Sequence, residues 1–159
     1  MLFYYLFISE SESPSGEKMK YVLVYWSRYG HNKKLIDTLA ELLKQNGAEI
    51  QIFTTDEANP AAMPSADLYV FSAPAEAFNL QMNMKMFLKS LSAMEGRNYG
   101  IMNTHAMRKS RLNKMEKILS SKKMIKVAEM DFLIGKDMKS GDAFVEDWKT
   151  KLGEFAKKL

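Results

Sequence analysis

Residues 21–45 read YVLVYWSRYGHNKKLIDTLAELLKQ, and this stretch decides the fold class. Tyr21 to Trp26 form a continuous apolar run rich in aromatic and β-branched residues, the pattern of a strand covered on both faces. Ser27-Arg28-Tyr29-Gly30-His31-Asn32 follow as a polar loop carrying a hydroxyl and a glycine. Leu35, Ile36, Leu39, Leu42 and Leu43 then recur at helical spacing, and Asn46-Gly47 marks the left-handed stop. Buried strand, short polar turn and amphipathic helix together make the opening half of a βαβ unit.

The same alternation runs to the C-terminus. Glu49 to Thr54 alternates polar and apolar, as a strand near a sheet edge does. Residues 56–64, with Pro60 and Pro64, form a loop or a broken helix. Leu68 to Ser72 is the third strand, followed by Leu80, Met84, Phe87, Leu88, Leu91 and Met94 at helical spacing. Asn98 to Asn103 is the fourth strand, and Leu112, Met115, Ile118 and Leu119 mark its helix. Val127 to Ile134 supplies the fifth. A closing helix, capped by Ser140 or Asp142, carries the stripe Phe144, Trp148, Leu152, Phe155 and Leu159. Five β-α repeats imply an α/β fold with a doubly wound, five-stranded parallel sheet, because parallel strands need right-handed crossovers. The expected order is 2-1-3-4-5, in three α/β/α layers. Ligands in such sheets bind beyond the C-terminal strand ends, at the switch point between strands 1 and 3. The chemistry is therefore expected just after Trp26, Ser72 and Asn103.

Composition narrows the classes. The 159 residues, 47% apolar and 26% charged, suit one globular domain. No apolar run nears the ~20 residues of a membrane span. The absence of cysteine excludes disulfides, thiolate metal sites and cysteine nucleophiles, and fits a reducing, cytoplasmic setting. With His31 and His105 as its only histidines, the chain offers no histidine metal cluster, so no metal site is expected. The thirteen methionines read as flexible core filler. Residues 1–18 differ in character from the rest and lack the basic flank and cleavage site of a signal peptide. They read as a non-core extension of a 19–159 domain, with a short strand or partner-binding arm as the alternative.

The net charge of +4 is uneven: from Arg108 to Lys126 eight basic residues face one acid, Glu116. A solvated helix face with a basic last turn accounts for this run. Docking of an acidic partner or a phosphate-bearing ligand is the functional alternative. Without aromatic interleaving or a recognised motif, nucleic acid is not expected.

Three loops could carry chemistry. In the first, Ser27 to Asn32, a helix start supplies unpaired backbone N–H groups and a positive dipole end, which suit an anion such as phosphate. Ser27 and Asn32 add side-chain donors, and Gly30 permits a close turn. Arg28 and Lys33 could serve the anion or point to solvent. The second loop, Ser72 to Leu80, contains Pro74, Ala75, Glu76, Ala77, Phe78 and Asn79; Phe78 could stack on a ring or plug the core. The third is Asn103, Thr104, His105, Ala106 and Met107, where His105 could bond a ligand or simply end a strand.

The segment YWSRYGHNKKLIDTLAELL resembles the phosphate loop of flavodoxins and of the related FMN-dependent quinone reductases, in which a strand ends in Ser-x-Tyr-Gly-His before the first helix. Ser27, Tyr29, Gly30 and His31 match that pattern. The segment from Pro74 is similar to the quinone-reductase loop that sets an aromatic and an Asn beside the flavin, here Phe78 and Asn79. Ala75-Glu76 stands where that family has Thr-Arg, and Glu76 is expected to face solvent. The resemblance implies a flavodoxin-like fold and an FMN site formed by Ser27–Asn32, Pro74–Asn79 and Asn103–Ala106. It also implies electron transfer, or reduction of a small acceptor such as a quinone, with a redox partner protein or NAD(P)H as donor. The cofactor would carry the redox chemistry, so no catalytic residue is named and enzyme status stays open. Flavodoxins are acidic and this chain is basic, which speaks against a simple carrier. A homo-oligomer is left open. The competing class is a flavodoxin-fold binding or regulatory module that has lost FMN.

Overall fold

A computed structural model describes residues 18–140 and 143–159. Residues 1–17 of the expected extension, and Asp142 as a helix cap, lie outside the described residues. Six strands and four helices follow in order: β1 Lys20–Tyr25, α1 His31–Gln45, β2 Glu49–Thr54, β3 Leu68–Glu76, β4 Asn79–Leu80, α2 Met82–Ser90, β5 Asn98–His105, α3 Leu112–Ser121, β6 Ile125–Leu133 and α4 Trp148–Lys157.

The principal sheet runs β2-β1-β3-β5-β6 with every pair parallel, which is the 2-1-3-4-5 order once the two-residue β4 is set aside. Side chains leave a strand on alternate faces, so each central strand feeds two cores. Val22, Val24, Tyr69, Phe71, Tyr99 and Ile101 pack with Met84, Phe87 and Leu88 of α2 and Leu112, Met115 and Leu119 of α3. Tyr21, Leu23, Leu68, Val70 and Met102 pack on the other face with Leu35, Ile36, Leu39 and Leu43 of α1 and Leu152 and Phe155 of α4. The two layers of helices thus follow from strand alternation and helix stripes together. Helix α4 approaches β5 closely: a Cβ built at Gly100 would lie 3.0 Å from Phe155 Cζ and 3.1 Å from Leu159 Cδ2.

Several boundaries differ from the sequence reading. Residues 55–67 form turns, the loop of the two alternatives, so four helices and not five occur among the described residues. Strand β3 runs on to Glu76, which takes Pro74 and Ala75 out of the expected loop, and β5 runs on through Thr104 and His105. Asp147 caps α4 in place of Ser140, accepting from the Thr150 hydroxyl at 2.7 Å and the Thr150 amide at 3.2 Å. These bonds, the hydroxyl's foremost, hold its carboxyl below the usual range. The methionines also divide: Met84, Met94, Met102, Met115 and Met124 are buried, while Met82, Met86, Met107 and Met138 are exposed.

Candidate functional site

The connections after β3 and β5 lead to α2 and α3 on one face of the sheet, while that after β1 leads to α1 on the other. Loops leaving to opposite faces part at the β1/β3 boundary and open a crevice there. A cleft of about 380 Å³ occupies that position. Its walls come from Arg28, Tyr29, His31 and Asn32 after β1, from residues 74–78 at the end of β3, and from Thr104, His105 and Ala106 at the end of β5. Ser27, Gly30, Asn79 and Asn103 do not line it.

The first loop is shaped for a turn. Gly30 has φ +92°, and a Cβ there would meet nothing within 4 Å, so backbone conformation and not space requires the glycine. No side chain caps α1, whose opening N–H groups are left for another acceptor. Beside them the Ser27 hydroxyl oxygen is buried without a hydrogen-bond partner. Both cations of this region are engaged. Arg28 grips Glu76 through Nε to Oε2 at 2.5 Å and Nη2 to Oε1 at 2.8 Å, and Lys33 pairs with Asp37 at 2.6 Å. The hydrogen bond to Glu76, reinforced by its charge, raises the Arg28 pKa further, so the guanidinium stays charged. Glu76, expected to face solvent, is partly exposed and lines the cleft, where it is held by Arg28.

Asn32 is 1% exposed and braces the strand ends. Its Nδ2 donates to Ser72 Oγ at 3.0 Å, and Thr104 Oγ1 donates to its Oδ1 at 3.0 Å, which ties α1 to both β3 and β5. Asn103 plays a similar part, with Nδ2 donating to the Ala73 carbonyl at 2.8 Å and Oδ1 accepting from the Arg111 amide at 2.7 Å. Neither histidine has both ring nitrogens free. His31 Nε2 lies 2.7 Å from the Ser140 carbonyl oxygen, with its ring edge-on to Phe144. His105 places Nδ1 2.5 Å from the Met107 carbonyl and Nε2 2.6 Å from Asp131 Oδ2.

At the other wall, Ala77 and Phe78 form a two-residue turn between β3 and β4 with φ +50° and +62°. Glycine or asparagine normally takes these positions. Phe78 is 76% exposed, so it does not plug the core. Asn79 turns its Oδ1 to the Leu80 amide at 2.8 Å, away from the cleft.

Met107 of the third loop lines the cleft as well, and four further lining residues lie outside the three loops: Lys109, Arg111, Ile134 and Met138. Lys109 and Arg111 belong to the basic run that Arg108 opens, and the last members of that run are spent elsewhere. Lys126 meets Glu116 and Glu129, and Lys122 donates to the Lys89 carbonyl. Two signals in the sequence point to them: the run begins just after the third loop, and its charge suits an acidic partner or a phosphate-bearing ligand.

No helix of the described residues is long and apolar enough to cross a membrane, and no group of metal-ligating side chains occurs among them. No family model matches the sequence, and no curated protein matches it. Among solved structures, an archaeal flavodoxin superposes with a TM-score of 0.67 at 14% identity, covering 89% of this chain and 93% of its own. A flavodoxin of Streptococcus pneumonia gives 0.68 at 17% identity over 88% and 97%. Rubredoxin oxygen:oxidoreductase from the anaerobe Desulfovibrio gigas gives 0.73 at 12% identity, covering 98% of this chain but 37% of that one. The fold is flavodoxin-like.

Proposed function

We propose that this chain binds FMN with its ring in the cleft at the ends of β1, β3 and β5 and its phosphate in the adjoining Ser27–Asn32 loop, and that it acts as an FMN-dependent redox protein. The observation that carries the reading is the buried, unpartnered Ser27 hydroxyl beside the uncapped start of α1. A buried hydroxyl without a partner is costly unless a ligand completes it, and an uncapped helix start with a glycine turn suits a phosphate. Arg28 and Lys33 are already paired, so Ser27 and the backbone N–H groups of residues 28–32 would hold the phosphate. The half-buried Pro74–Glu76 end of β3 and the exposed Phe78 would flank the isoalloxazine, with Thr104, His105 and Ala106 opposite.

When bound, FMN supplies one- and two-electron chemistry, and the protein sets its position and electrostatics. Asn32, Asn103 and the His105–Asp131 pair fix the strand ends that would flank it. A visible spectrum of the freshly purified protein, with and without added FMN, tests the proposal. A bound-flavin spectrum that survives gel filtration supports it, and a protein that neither carries nor retains FMN refutes it.

One observation favours the second reading, a binding module without flavin: the carboxylate of Glu76 lines the cleft, where it would repel an anionic ligand. Its bidentate bond to Arg28 neutralises that charge, which leaves the FMN reading ahead.

A further inference from the structure

We infer that Lys109 and Arg111 form a second anion site in this cleft, one that holds the anionic group of a small, planar, otherwise apolar electron donor or acceptor. The inference rests on the FMN reading and names the substrate class of the same site. Three cations line the cleft, Arg28, Lys109 and Arg111, against a single carboxylate, Glu76. That carboxylate is occupied at both oxygens by Arg28. Asp131 lies against His105 Nε2 at 2.6 Å. Among the described residues neither Lys109 nor Arg111 forms an ion pair, and Arg111 Nε is buried without any partner.

Two unspent cations on one wall, one with a shielded donor, disfavour a neutral occupant and favour an anion. The Arg111 backbone is fixed by Asn103 Oδ1 at 2.7 Å, so its side chain leaves from an anchored point. Around these cations the wall is apolar: Ala106, Met107, Ile134 and Met138. An aromatic body with one anionic substituent answers both features.

The FMN phosphate is not the group meant. Its proposed loop follows β1, and Lys109 and Arg111 follow β5, two strand spacings or about 9.5 Å away across β3. A protein surface is also a poor match, because both cations line a concave cleft and not an open face.

The test titrates 1,4-naphthoquinone-2-sulfonate and neutral 1,4-naphthoquinone into the oxidised, FMN-loaded protein by calorimetry. The sulfonate is expected to bind about tenfold or more tightly, the scale of a hydrogen bond to a charged group. In Lys109→Gln/Arg111→Gln, saturated with FMN, the two quinones should bind alike, while neutral-quinone affinity and melting temperature hold. If the double variant does not fold, Lys109→Gln alone, at an exposed position, should lose part of the preference. Equal binding of the two quinones by the parent protein overturns the inference, as does a preference that survives the substitutions. Failure of FMN to bind is seen first in the visible spectrum, and the same titration on the flavin-free chain then reads the anion site by itself.

Discussion

Arg28 and Glu76 are joined at two points, Nε to Oε2 at 2.5 Å and Nη2 to Oε1 at 2.8 Å, across the mouth of the cleft. The pair links the loop after β1 to the last residue of β3, and the guanidinium lies 4.9 Å over the Trp26 ring. Solvent reaches both side chains, at 49% and 27% exposure, so the pair contributes little to stability. Its larger effect is to keep Arg28 from an anionic ligand. Glu76→Gln should therefore leave the melting temperature nearly unchanged and raise FMN affinity at low salt. The expected gain is up to about fivefold, the scale of one exposed ion contact. Fluorescence titration across a salt series checks this, and an unchanged low-salt affinity would count against it.

Ser27 and Asn32 should part company. Ser27→Ala removes a buried hydroxyl that has no partner, so stability should hold or rise slightly while FMN affinity falls about tenfold. Asn32→Ala removes the shared partner of Ser72 and Thr104, and should destabilise the fold by about 1–3 kcal/mol whether or not flavin is present. Denaturant unfolding of the two apoproteins separates these outcomes. A Ser27 variant as unstable as the Asn32 variant would mean that the hydroxyl serves the fold.

Much of this was legible in the sequence, for reasons visible in particular residues. Tyr21 to Trp26 declare a buried strand because both faces are covered, and the stripe from Leu35 to Leu43 declares its helix. What was missed lies where side-chain pattern and backbone pairing part. Pro74 and Ala75 read as loop, yet the strand continues because Gln81 returns its N–H to the Pro74 carbonyl and β4 pairs back. Asn32 read as a ligand donor because its type suits one, and only tertiary contact reveals that Ser72 and Thr104 use both ends of its amide. Glu76 reads only as a solvent-facing acid, because nothing local points to Arg28, 48 residues away in the chain. Lys109 and Arg111 were hidden in a basic run whose bulk is a solvated surface.

The Ala77-Phe78 turn should be the rare place where glycine stabilises. A left-handed conformation costs a non-glycine residue about 1–2 kcal/mol. Glycine at Ala77, φ +50°, removes that cost but adds about 0.4–1 kcal/mol of unfolded-state entropy. Ala77→Gly should thus gain roughly 0.5–1 kcal/mol net, read as a higher denaturation midpoint with unchanged slope. A loss of stability would show that the turn is not strained at this position.

The central claim is that the Ser27–Asn32 loop holds a phosphate, and one comparison tests it most directly. FMN and riboflavin share the ring and ribityl chain and differ in that group alone. Titrating each into the apoprotein, with quenching of flavin fluorescence as the signal, should give FMN at least about tenfold tighter binding, from charge-assisted bonds that riboflavin cannot make. Ser27→Ala should shrink that ratio. Equal affinity for the two flavins would contradict the claim.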